Sequence, residues 1–224
     1  MNKELIMTGD GSHTLFAIEL DETYHSRHGA IRESMHVFIW NGLRYYLSNA
    51  VKKNIGIFEL GLGTGLNALL TALEARKFGC RIQYHAIEPF PLEHGLYKQL
   101  NYPGLLPESV PDKLFTEIHE AEWGIETPLT EHFIIKKEKI TFEEYLQDDK
   151  IFDIVYYDAF APGKQPEIWS PELLAKAYGM LVPDGVLVTY CSQGNFKRNL
   201  KQIGFKVENL TGPPGKKEMV RAQK

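Results

Sequence analysis

Three groups of residues carry types and spacings that could do chemistry. The first is Glu59-Leu60-Gly61-Leu62-Gly63-Thr64-Gly65, with glycine at every second position behind an acidic residue. Glycines so placed turn the backbone tightly and let a ligand approach the main chain. The second is Glu88, in Ala86-Ile87-Glu88-Pro89, 23 residues after Gly65. A carboxylate there can accept hydrogen bonds from a pair of hydroxyls. The third is Asp158, heading Asp158-Ala159-Phe160-Ala161-Pro162-Gly163-Lys164-Gln165-Pro166-Glu167-Ile168-Trp169. An ionised carboxylate only accepts, so Asp158 could hydrogen-bond an amine, direct its lone pair and take its proton. Each feature alone is common; a glycine turn can be only a turn, and a loop Asp can merely cap the next turn of the chain.

These residues can meet only if each leaves a strand at the same edge of one sheet. Apolar runs at 55–60, 82–87, 133–137, 152–157 and 186–190 read as buried strands. Between them, Leu66, Leu69, Leu70 and Leu73 recur at helical spacing, 91–100 reads as a helix opened by Pro91, and 142–146 as a short one. Ser170 before Pro171 marks a capped helix start, 196–203 is helical, and 205–210 with 219–222 form a closing antiparallel hairpin. The alternation predicts an α/β fold: a mostly parallel, seven-stranded sheet with helices on both faces. Ligands in such sheets bind beyond the carboxyl ends of the strands, where Gly61, Glu88 and Asp158 all fall. The first fifty residues differ. Runs at 13–20, 37–40 and 44–47, the last after the turn signal Asn41-Gly42, read as strands, giving a β-rich N-terminal extension over 1–50 and a domain over 51–224.

Composition narrows the classes. With 224 residues, 43% apolar and 24% charged, the chain can pack a core, and wholesale disorder is excluded. Two cysteines 111 residues apart, Cys80 and Cys191, read as reduced thiols rather than a disulfide framework. The eight histidines make no His-Glu-x-x-His pattern, so no metal site is expected. No window holds the roughly 18 apolar residues of a membrane span, and Met1-Asn2-Lys3-Glu4-Leu5 leads into no apolar signal region; a cytoplasmic protein is expected. The net charge of −4 hides a split: residues 197–224 hold eight Lys or Arg against two Glu, hence +6, and the rest carries −10. Such a basic end is either a solvated face or a docking surface for a polyanion.

A dinucleotide fingerprint would need a third glycine at position 66, where Leu66 stands. The pattern E-x-G-x-G-x-G is instead similar to the first motif of S-adenosylmethionine-dependent methyltransferases, with Glu88 as the ribose-binding carboxylate at the end of the next strand. The Asp158 stretch, D-A-F-A-P-x-K-x-P-x-x-W, resembles the methyltransferase part of the bifunctional tRNA 5-methylaminomethyl-2-thiouridine biosynthesis proteins. The likeness extends upstream through Tyr24, Ser26, Gly29, Glu33 and Val37-Phe38, and into Thr64, Leu66 and Asn67. Downstream it takes in Gly204-Phe205 and Gly212 with Lys216-Lys217-Glu218-Met219, so it covers about residues 20 to 220.

The resemblance implies a Rossmann-like class I methyltransferase that moves a methyl group from S-adenosyl-L-methionine to the 5-aminomethyl nitrogen of a wobble (2-thio)uridine. It implies that Gly61, Gly63, Thr64 and Gly65 hold the cofactor loop, with Glu59 at its base, that Glu88 takes the ribose hydroxyls, and that Asp158, beside the cofactor, receives the amine. Glu33, Phe160, Lys164, Lys216 and Lys217 fall to the substrate side, the lysines facing the tRNA anticodon region. Glu138 is the acidic residue nearest where the adenine amino group would lie. Trp40 and Trp169 read as core residues. In that family a flavin-dependent oxidase domain comes after the methyltransferase and generates the amine. Here the sequence stops at Lys224, which implies a stand-alone methyltransferase served by a separate oxidase or other amine-generating enzyme. Two other readings stay open: a methyltransferase or aminopropyl transferase acting on a small-molecule amine, and a cofactor-binding protein without catalysis.

Overall fold

The computed structural model describes residues 2–50, 52–106, 112–146 and 152–224. The chain opens with three short antiparallel strands, β1 (Lys3–Met7), β2 (His13–Ala17) and β3 (Glu22–Thr23). Helix α1 (Ala30–Ser34) runs through wide π-helical turns over Met35–Arg44 into α2 (Tyr45–Asn49). There follow β4 (Asn54–Leu60), α3 (Leu66–Phe78), β5 (Arg81–Ile87), α4 (His94–Tyr97), α5 (Tyr102–Leu105), α6 (Asp112–Glu120), β6 (Thr127–Thr130) and β7 (Phe133–Glu138). The last elements are β8 (Phe152–Tyr157), α7 (Pro171–Met180), β9 (Leu181–Thr189), α8 (Gly194–Ile203), β10 (Lys206–Thr211) and β11 (Glu218–Gln223).

β4 to β11 form one sheet in the order β10-β11-β9-β8-β4-β5-β7-β6, parallel from β9 to β7 and antiparallel at both edges. This is the expected fold class with an eighth strand. The addition, β6, is the Thr127-Pro128-Leu129-Thr130 run, which sequence pattern passes over because it is polar and contains proline. Proline has no N–H for the ladder and is tolerated at a sheet edge, and the pairing with β7 does slip between Pro128 and Thr130. Side chains alternate across the sheet. Ile57, Ile154 and Tyr156 belong to the core under α3 and the π-helical segment, whereas Phe58, Val155 and Tyr157 belong to the core under α7 and α8.

Four expectations need correction. Residues 37–40 and 44–47 are helical, not strands. Val37, Phe38, Ile39 and Leu43 are buried together against the sheet, and the Asn41-Gly42 pair makes no hairpin. A Cβ on Gly42 would stand 3.0 Å from Val188 and 3.3 Å from Tyr156, so the glycine serves close packing of helix on sheet. Asn41 Nδ2 donates back to the His36 carbonyl (2.7 Å), consistent with the wide turns. The helix expected over 91–100 is confined to His94–Tyr97: the chain bends at Pro89 and Phe90, and Glu93 is still extended at the helix start. The helix expected over 142–146 is a turn, closed by reciprocal bonds between Thr141 and Glu144. Trp169 is buried in the core as expected, but Trp40 is 49% exposed. The expected cap does form at Ser170, whose hydroxyl accepts from the Leu173 N–H.

Candidate active site

Register explains why the chemistry-bearing residues meet. Leu60 pairs with Ile87 on one side and Tyr157 on the other, so Gly61, Glu88 and Asp158 are each the first residue beyond three adjacent strands. They open onto a cavity of about 930 Å³.

The glycine loop is held by backbone donors. The N–H groups of Gly61 and Leu62 both reach the Ile87 carbonyl (3.1 and 3.2 Å), and Gly65 N–H reaches the Leu62 carbonyl (2.8 Å). Gly61 has φ +87°, and a Cβ there would stand 2.8 Å from the Asp158 carbonyl oxygen, so the glycine loop and the end of β8 touch at a position only glycine can fill. Glu88 Oε2 accepts from Gly63 N–H (2.9 Å) and Oε1 from Phe90 N–H (2.8 Å). Burial pushes the Glu88 carboxyl upward, and the two amides oppose that. Each oxygen keeps a further lone pair for a ligand hydroxyl. Gly61, Gly63 and Thr64 line the cavity; Glu59 and Gly65 lie behind it.

At the floor, the Asn67 amide links two carboxyl groups, donating to Glu59 Oε1 (3.0 Å) and Asp158 Oδ2 (2.8 Å). Asp158 is pushed up to about 7, first by burial and then by the charge of Glu33, against the Asn67 hydrogen bond and Lys216. Glu59, fully buried, is held well above the carboxylate range by desolvation and by Asp158. The pair can thus be neutral or singly charged near neutrality, and Asp158 is poised to take a proton.

The roof comes from the ends of the chain. Glu33 Oε2 accepts from Ser26 N–H (2.6 Å), and Oε1 receives Lys216 Nζ (2.7 Å) from the β10–β11 turn. Phe160 and Tyr24 pack edge to face with ring centres 5.0 Å apart, and both line the cavity. Lys216, expected to face a tRNA phosphate, therefore points inward, while Lys217 is exposed. Lys164 lies 3.5 Å from Asp21, outside the lining. Glu138 is engaged by His85 and Lys136 and does not line the cavity either; Thr141, Phe142 and Glu143 do. Other bases of the C-terminal segment are internally paired, Lys197 with Glu218 and Arg221 with Glu208, which leaves Arg198, Lys201, Lys206 and Lys217 exposed.

Sequence reasoning leaves Asn67, Tyr190 and Phe90 without roles, though all three bear on the site. Asn67 carries a signal, a lone amide in the first turn of an apolar helix. Tyr190 and Phe90, each just past a strand end, carry none beyond position. Among the described residues, no group of three His, Cys, Asp or Glu could hold a metal ion, and no helix is long and apolar enough to cross a membrane.

Residues 135–224 match the family described as S-adenosyl-L-methionine-dependent methyltransferase. The chain is 30% identical over 217 residues to the tRNA 5-methylaminomethyl-2-thiouridine biosynthesis bifunctional protein MnmC of Idiomarina loihiensis, covering 89% of the chain and 35% of that protein. The protein of the same name from Cupriavidus necator is 29% identical over 216 residues, covering 90% and 32%. The chain spans about a third of the length of these curated relatives. The crystal structure of MnmC2 from Aquifex aeolicus aligns with a TM-score of 0.76 at 27% identity, covering 99% of this chain and 69% of that one.

The fold and the site define an S-adenosyl-L-methionine-dependent methyltransferase of class I. Within that class, the chain is similar to the MnmC proteins over the third of their length that it spans. The residues present fit the cofactor: the loop at Gly61 and Gly63 offers bare backbone to the cavity, the buried Glu88 and half-buried Asp158 carboxylates line it, and Glu59 lies buried behind it.

Proposed function

We propose that this chain methylates the 5-aminomethyl nitrogen of a wobble (2-thio)uridine in tRNA. The observation that carries the reading is Asp158: a half-buried carboxylate at the floor of a cavity roomy enough for cofactor and base, pushed up to about 7 and bonded by Asn67. The relatives named for tRNA 5-methylaminomethyl-2-thiouridine biosynthesis support the substrate class.

In this reading Gly61, Gly63, Thr64 and Gly65, with Glu59 behind them, hold the cofactor, and Glu88 takes its ribose hydroxyls. When bound, S-adenosyl-L-methionine would supply an electrophilic methyl group for the amine lone pair, with its sulfur as the leaving group. Asp158 removes the amine proton and aims the lone pair. Phe160 and Tyr24 wall the base, and Lys164, Lys217 and the other exposed bases near the β10–β11 turn face the phosphates of the anticodon stem. The division into an extension over 1–50 and a methyltransferase domain over 51–224 belongs to the same reading, as do a cytoplasmic setting and an enzymatic activity that makes the amine. Incubation with radiolabelled cofactor and tRNA bearing 5-aminomethyluridine, beside the same tRNA without it, tests the reading. Label in the first tRNA alone is expected; label in neither overturns it.

A further inference from the structure

A cation already occupies part of the cavity. Lys216 Nζ lies 2.7 Å from Glu33 Oε1 and 3.6 Å from the centre of the Tyr190 ring. Both partners are themselves fixed. Glu33 is tied by the Ser26 N–H, and its side chain is 6% exposed. The Tyr190 hydroxyl donates to the carbonyl of Ala159 (2.8 Å), next in the chain to Asp158. A buried carboxylate beside an aromatic face is a receptor for an alkylammonium.

We propose that this receptor is the binding site for the protonated amine of the acceptor, and that Lys216 is an internal stand-in which the acceptor displaces. The proposal rests on the amine-methyltransferase reading and names its specificity-determining residues, Glu33 and Tyr190.

Charge balance supports the exchange. A buried carboxylate stripped of its partner is strongly disfavoured, so Glu33 releases Lys216 readily only to another cation. An incoming ammonium satisfies it; an alcohol or carbonyl of the same shape does not. Lys216 is suited to leave, for its ammonium rides on a flexible four-carbon stem at a turn closed by Gly212 N–H to Lys217 O (3.1 Å) and Lys216 N–H to Pro213 O (2.9 Å). Once the acceptor is seated, one proton passes from its ammonium to the Asp158 carboxylate, leaving a neutral amine and a carboxylic acid; no oxidant or reductant is involved. A lysine placed for a phosphate would be expected to point outward, as Lys217 does.

The test uses the full chain, S-adenosyl-L-methionine, tRNA carrying 5-aminomethyluridine and, as a competitor, the same tRNA carrying the neutral 5-hydroxymethyluridine. Lys216→Met is expected to lower the KM for aminomethyl tRNA several-fold, and Lys216→Arg, which keeps a stand-in cation, to leave it near the wild-type value. Tyr190→Leu is expected to raise that KM about tenfold and to cut the preference for aminomethyl over hydroxymethyl tRNA in equilibrium binding, while Tyr190→Phe retains both. Cofactor affinity by calorimetry, unchanged in all four, shows that the fold survives. A raised KM in Lys216→Met, or an unchanged KM and preference in Tyr190→Leu, overturns the proposal while wild-type methylation stands. Failure of the wild-type chain to methylate any amine overturns the underlying reading, and this proposal with it.

Discussion

The two halves of the cavity are built by different means. On the cofactor side, Gly61 and Leu62 bond to Ile87 and Gly63 bonds to Glu88, so adjacent parallel strands and main-chain amides do the work. On the acceptor side, Glu33 and Lys216 stand 183 residues apart and meet through charged side chains, with Tyr190 from a third segment. Strand pairing and main-chain hydrogen bonds fix the first half. The second half is assembled from long-range contacts that can be exchanged, so selectivity for an acceptor can reside there without disturbing the cofactor loop.

The largest break in this contrast is expected at Asp158, which borders both halves. Asp158→Ala should reduce single-turnover methylation by about 10²- to 10⁴-fold, the usual worth of a positioned general base, while cofactor affinity by calorimetry stays within a few-fold. Unchanged turnover would take Asp158 out of the mechanism. A smaller effect belongs to the cofactor half alone. Glu88→Gln removes the carboxylate that receives Gly63 and Phe90, so the cofactor Kd should rise about tenfold, the scale of one charge-assisted hydrogen bond. The KM for tRNA should stay put; if both constants rise together, the halves are not independent.

This division also explains what is legible in the sequence. The strand at 152–157, the glycine turn, Glu88, Asp158 and the Ser170 cap are readable because each is a local pattern: a short apolar run, its terminal residue, a cap beside a proline. The helical run Met35–Arg44 imitates strands because its apolar residues are contiguous and Asn41-Gly42 resembles a hairpin turn, and only packing of Gly42 against Val188 decides otherwise. The inward direction of Lys216 is hidden for the same kind of reason. A basic segment of +6 reads as a surface until the fold supplies Glu33, Glu208 and Glu218 as partners.

The smallest expected effect is a displaced pH profile, and its sign separates the two halves most cleanly. Asp158 must be ionised to accept a proton, and its pKa is raised to about 7, so kcat/KM should fall as pH drops through that region. Burial is the first cause of the elevation and the negative charge of Glu33 the second, while Lys216 acts in the opposite direction. Glu33→Gln removes the like charge and leaves the positive Lys216 unneutralised nearby. Both changes favour the ionised form of Asp158, so the acid limb should move to lower pH. Glu88→Gln should leave that limb in place, because Glu88 is absent from the groups acting on Asp158. Profiles of kcat/KM across about two pH units on either side of neutrality for the two variants measure this. A shift to higher pH in Glu33→Gln, or equal shifts in both, would mean that the electrostatics of the acceptor half do not control the base.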